Sequence, residues 1–107
     1  MRLRAIFPEV NYSHIISIKK QSDYEMRRYR SHIERKSADF VICDKDNCIP
    51  LLVIDIDGEI HNRSDRKKKD KEIDDVLHSI GLPIIRFTNE QSRDKEFVKT
   101  RVLKMLD

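Results

Sequence analysis

Residues 50–57 read PLLVIDID, and no other stretch of the chain restricts its fold so strongly. Leu51 to Ile54 is an unbroken aliphatic run, and a short run of this kind marks a strand covered on both faces. Such a strand needs a packing layer on each side of its sheet, which argues for flanking helices. The same strand ends in two carboxylates, Asp55 and Asp57, that share a face because side chains alternate along a strand. Ionised carboxylates are costly to desolvate. A pair of them at the end of a buried strand calls for a compensating cation or proton.

The flanking sequence supplies the layers. Residues 3–10, LRAIFPEV, read as an extended segment, and Pro8 argues for an edge strand. Residues 22–36, SDYEMRRYRSHIERK, carry possible caps at Ser22 or Asp23 and a strongly basic body, which predicts a helix. ADFVIC at 38–43 is a strand and DKDN at 44–47 a turn. Ser64 can cap a helix running to about Ile80, because Ile73, Val76, Leu77 and Ile80 recur at helical spacing and Gly81 and Pro83 end it. A strand over 83–87, PIIRF, precedes a last helix over about 93–106, with Phe97, Val98, Val102, Leu103 and Leu106 on one side. At 107 residues the chain makes one domain, and this order predicts an α/β sandwich around a mixed sheet.

Hydrophobic and charged residues each make up 38% of the chain, which suits a small core under a heavily charged surface. The net charge of +3 conceals 22 Lys and Arg against 19 Asp and Glu. Gathering several acids into one site leaves the remaining surface more basic, a balance that favours polyanionic partners. No apolar run approaches about 18 residues and no signal-peptide pattern is present, so a soluble, cytoplasmic protein without membrane partners is expected. Cys43 and Cys48 form no CxxC pair and read as packing residues in a reducing compartment.

A hairpin about the 44–49 turn sets Asp39 opposite Ile54 or Asp55. Three carboxylates, Asp39, Asp55 and Asp57, then converge at one end of the sheet. Asp70 lies three residues before Ile73 and seven before Leu77, on the inward stripe of its helix. His61 falls in the loop joining strand to helix, above the same end. Singly, each has a plainer reading: Asp57-Gly58 as a turn, Asp39 as a strand cap, His61 as a solvated loop residue, and the run RKKK at 66–69 as a solvated helix face. Their coincidence points instead to an oxygen-rich site suited to Mg²⁺ or another hard divalent ion. Without metal the crowded carboxylates should repel, so removing Asp39 or Asp55 is expected to leave stability unchanged or raised.

The ordered pattern DF at 39–40, VIDIDGEIH at 53–61, Asp70 and GLPIIRF at 81–87 resembles the PD-(D/E)XK nuclease superfamily, in the branch like the very-short-patch repair endonuclease. It is also similar to a bacterial family of unknown function with the same order of residues. The branch includes phage homing endonucleases, and the similarity covers roughly residues 38–87. The resemblance implies a restriction-endonuclease-like mixed sheet flanked by helices, bacterial or phage-encoded, with a Mg²⁺- or Mn²⁺-dependent DNA endonuclease activity that hydrolyses phosphodiesters. On this chain Asp39 would be the main metal ligand and Asp55 the acid of the D/E-x-K motif. Asp57 stands where lysine is usual, a departure shared by this branch, and adds a third ligand. His61 matches the catalytic histidine and Asp70 the aspartate that supports it. Relatives carry a preceding helix whose glutamate reaches the site; no clear counterpart exists here beyond Glu25, so a fragment of a longer protein is expected. Arg27, Arg28, Arg30, Lys67 and Lys68 would hold the DNA backbone without reading bases. Specificity would come from a separate DNA-recognition domain or subunit.

Two rivals share parts of this pattern. VIDIDG also looks like the nucleophile motif of haloacid-dehalogenase-type phosphatases, where Asp55 would attack phosphorus and Asp57 act as acid and base. That fold opens with its motif and needs a longer sequence after it, with a later lysine and paired acids that PIIRFTNE at 83–90 does not supply. The second rival is a non-catalytic nucleic-acid-binding module on a nuclease fold, against which the presence of all five polar positions argues. An EF-hand fails, because loop position one would be Val53 and position twelve Ser64.

Overall fold

Two antiparallel strands, β2 (Ser37–Asp44) and β3 (Pro50–Asp57), form the centre of the domain. The computed structural model describes residues 4–19, 36–57 and 64–106, with the side chains of 17–19, 57 and 64–70 outside that description. In the turn between the strands, Asp44 Oδ1 accepts the Asp46 N–H at 2.9 Å and Asn47 Oδ1 accepts the Ile49 N–H at 3.0 Å. Short acid and amide side chains favour turns through bonds of this kind. Strand β1 (Arg4–Asn11) pairs antiparallel with β2, and β4 (Ile84–Thr88) pairs parallel with β3. The mixed sheet therefore runs β1-β2-β3-β4, and Pro8 lies on an edge strand, as its missing N–H requires.

Alternation along β2 and β3 divides the core. On one face Val41, Cys43 and Val53 pack with Tyr12, Ile15 and Ile16 of α1 (Tyr12–Lys19) and with Ile73, Val76 and Leu77 of α2 (Ser64–Ser79). On the other, Ile42, Leu52, Ile54, Ile85 and Phe87 pack with Phe97, Val98, Val102 and Leu106 of α4 (Lys95–Leu106). The aliphatic run of β3 is thus buried on both sides. Leu103, expected on the packing side of the last helix, is 42% exposed. That helix begins at Lys95, with the Phe97 N–H bonded to Asp94 Oδ1 at 3.1 Å, after a separate turn, α3 (Asn89–Ser92), capped by Thr88. The later start offsets the last helix from the span read in the sequence.

The end of α2 follows its signals. Gly81 has φ +71°, the Leu82 N–H reaches Leu77 O at 2.9 Å, and the Gly81 N–H reaches His78 O at 3.0 Å. This is a Schellman stop, with the buried Leu77 and Leu82 supplying its apolar contact. The helix α1 was not foreseen. Its Ile-rich sequence favours strand by propensity, but Asn11 Oδ1 accepts both the Ser13 N–H (2.8 Å) and its hydroxyl (2.6 Å), starting a helix. Tyr12, Ile15 and Ile16 then form one buried face at helical spacing. The helix expected over 22–36 lies outside the described residues, apart from Lys36. Cys43 is buried in the core, whereas Cys48 is exposed in the turn at φ 60°, so only one thiol is a packing residue.

Among the described residues no helix is long and apolar enough to cross a membrane.

Candidate functional site

The β2–β3 ladder runs Ile42↔Leu52, Val41↔Val53 and Phe40↔Ile54, and no backbone pair continues it toward Asp39. Past that point side chains bridge the two strands. Asp55 Oδ1 accepts the Asp39 N–H at 3.3 Å, and Asp39 Oδ2 accepts the Ile56 N–H at 2.6 Å. Each carboxylate therefore occupies a backbone donor of the opposite strand. On the other flank the β1–β2 register passes from Pro8↔Phe40 to Val10↔Ala38, and the intervening Glu9 is left-handed at φ 49°. Asp39 sits at an interruption in the pairing on both sides. The expected convergence of Asp39 and Asp55 is present, at the end of the sheet away from the hairpin turn.

Three further residues complete the surroundings, and sequence reasoning assigned none of them to the site. The Tyr12 hydroxyl, from the first residue of α1, donates to Asp55 Oδ2 at 2.5 Å. Arg86 pairs with Asp55 across the parallel β3–β4 ladder. Its Nη1 is held by Asp74 of α2, at 2.6 Å from Oδ1 and 2.8 Å from Oδ2. Arg86 was visible in the GLPIIRF pattern, and Tyr12 in the helical spacing of Tyr12, Ile15 and Ile16. Asp74 carried no signal of its own.

Burial pushes the Asp55 carboxyl above its ordinary range. The Tyr12 hydroxyl, the Asp39 N–H and the Arg86 guanidinium act against that shift, and the Asp39 charge adds to it. Burial, followed by the Asp55 charge, drives the Tyr12 phenol far above its usual value, so Tyr12 remains a donor. The resulting site is a half-buried carboxylate pair braced by neutral donors, with one guanidinium beside it.

Of the other expected site residues, Asp57 lies on the β3 backbone opposite Thr88, but its side chain is outside the described residues. Asp70, Lys67 and Lys68 lie on the backbone of α2, with side chains likewise outside, and Ile73 and Leu77 of the inward stripe are both buried. His61, Arg27, Arg28, Arg30 and Glu25 fall outside the described residues. Among the described residues no group of three or more His, Cys, Asp or Glu side chains is arranged to hold a metal ion.

The described residues define a small α/β domain with a four-stranded mixed sheet and a carboxylate pair where its central hairpin opens. The chain belongs to DUF2726, a family described as a protein of unknown function, which matches residues 2–105. No curated protein and no solved structure matches the chain.

Proposed function

We propose that this domain is a metal-dependent DNA endonuclease with a restriction-endonuclease-like fold, hydrolysing phosphodiester bonds with Mg²⁺ or Mn²⁺. The observation that carries the reading is the reciprocal bracing of Asp39 and Asp55 where the β2–β3 ladder stops. In open α/β sheets, ligands bind outside the carboxyl ends of the strands. Asp55 lies near that end of β3, and β4 runs parallel to it.

The donor set fits a hard divalent ion. Both groups are carboxylates, and burial together with the Asp39 charge makes ionised Asp55 costly, a cost that a cation would offset. Asp39 and Asp55 would hold the ion, with Asp57 as the third ligand carried by the sequence resemblance. A divalent ion bound there would supply Lewis-acid polarisation of a phosphodiester oxygen and stabilisation of the negative charge that develops on the phosphoryl and leaving oxygens. His61, oriented by Asp70, would take the proton from the attacking water, work suited to an imidazole near neutral pH. Arg27, Arg28, Arg30, Lys67 and Lys68 would neutralise phosphates, so binding should fall with salt and show little base preference.

A direct test incubates the protein with single- and double-stranded DNA in Mg²⁺, Mn²⁺ or EDTA, with p-nitrophenyl phosphate alongside. Divalent-dependent DNA cleavage that disappears in Asp39→Asn supports the reading. DNA binding without cleavage would favour the non-catalytic module, and p-nitrophenyl phosphate hydrolysis without DNA cleavage the aspartate-nucleophile phosphatase.

A further inference from the structure

We propose that Tyr12 is a positioning residue for Asp55: through its hydroxyl, α1 fixes the carboxylate in the orientation that can meet a divalent cation. This rests on the metal-dependent reading above and assigns a role within that site to an element outside the hairpin.

The two bonds to Asp55 differ in quality. The Asp39 N–H is 3.3 Å from Oδ1, at the long end for an N–H donor, whereas the Tyr12 hydroxyl is 2.5 Å from Oδ2. The shorter bond does most to fix the rotation of the carboxylate. Tyr12 is itself held at both ends. Its backbone N–H donates to Lys36 O at 2.9 Å, just before β2, and its ring is buried among the Ile15 and Ile16 cluster at 1% exposure. A rigid donor therefore spans from the start of β2 to the end of β3.

The chemistry of the donor also suits the task. A carboxylate has about four lone-pair sites on its two oxygens, so these two hydrogen bonds leave room on each oxygen for a cation. A phenol hydroxyl carries no charge. It orients the carboxylate without the repulsion that a lysine or arginine at the same place would exert on an incoming metal ion.

Tyr12→Phe keeps the buried ring and removes only the donor. Mn²⁺ binding to wild type and variant, measured by calorimetry in parallel with thermal unfolding in EDTA, separates the two roles Tyr12 could have. The expected result is a folded variant whose Mn²⁺ affinity is weaker by about 10–100-fold, the usual loss when a group orienting a metal ligand is removed. DNA cleavage should then need correspondingly more Mn²⁺, with a smaller change at saturating metal. Ile16→Val loosens the same helix while leaving the hydroxyl in place, and it should lower stability without changing Mn²⁺ affinity.

Unchanged affinity in Tyr12→Phe, or an equal loss in Ile16→Val, overturns the positioning role and leaves Tyr12 a core residue. Should Tyr12→Phe not fold, Ile16→Val decides alone: a loss of affinity there overturns the role. A wild-type protein that binds no Mn²⁺ and cleaves no DNA overturns the metal-dependent reading itself, and this inference with it.

Discussion

Asp55→Ala tests how the carboxylate pair contributes to stability. Charge repulsion alone predicts that the metal-free variant is as stable as wild type, or more so. The hydrogen bonds predict the opposite. Removing the carboxylate leaves the hydroxyl of the buried Tyr12, a residue 1% exposed, without its acceptor, a loss of about 1–3 kcal/mol. The Asp39 N–H also loses its partner, although at 3.3 Å that bond is the weaker. Relief of a buried charge offsets part of this. The expected net destabilisation in EDTA at neutral pH is about 1–2 kcal/mol, or a fall in Tm of roughly 5–10 °C for a domain of this size.

Adding Tyr12→Phe to Asp55→Ala removes the stranded hydroxyl and should recover about 1 kcal/mol, since deleting both partners is far less costly than deleting one. Urea unfolding of the four proteins gives the coupling energy directly. Additivity within about 0.5 kcal/mol would mean that the hydroxyl and carboxylate do not depend on each other, contrary to this expectation.

The pH dependence has a definite sign. The folded Asp55 carboxyl is raised above its unfolded value, so the part of its contribution tied to protonation is full below about pH 3.9 and is lost as pH rises through the raised folded value, leaving the hydrogen-bond part at neutral pH. The stability difference between wild type and Asp55→Ala should therefore narrow from about pH 4 toward neutrality.

Three further outcomes are expected. Thr88→Ala removes the capping box of α3, in which the Thr88 hydroxyl accepts the Gln91 N–H at 3.1 Å and the Gln91 side chain accepts the Thr88 N–H at 3.0 Å; urea unfolding should show a loss of about 0.5–2 kcal/mol. With an aromatic disulfide reagent, the exposed Cys48 should react at once and the buried Cys43, its thiol pushed up by burial, only as denaturant opens the core; equal rates would contradict the packing. His61→Ala should lower DNA cleavage by roughly 10²–10⁴-fold with Mn²⁺ affinity little changed, and Asp70→Asn should give a smaller loss with an altered pH–rate profile; wild-type rates would move the base role to another group.

The central hairpin, the double burial of β3, the edge position of β1 and the glycine stop of α2 were all legible in the sequence. Each follows from period, turn chemistry or a missing N–H, which are properties of a few neighbouring residues. Hairpin register and strand alternation were enough to set Asp39 beside Asp55. The rest of the site depends on which surfaces meet. Tyr12 and Asp55 are 43 residues apart, and only the packing of α1 against Val41 and Val53 brings the phenol to the carboxylate. The same packing made a helix of an Ile-rich stretch, because burying Tyr12, Ile15 and Ile16 together outweighs their preference for strand. Arg86 of β4 and Asp74 of α2 meet in an ion pair that only the tertiary arrangement of strand and helix creates. The interruption at Asp39 is likewise tertiary: the β1–β2 ladder skips Glu9 and Asp39 while keeping its register, the β2–β3 ladder ends at Phe40 and Ile54, and the carboxylates take backbone donors of the opposite strand.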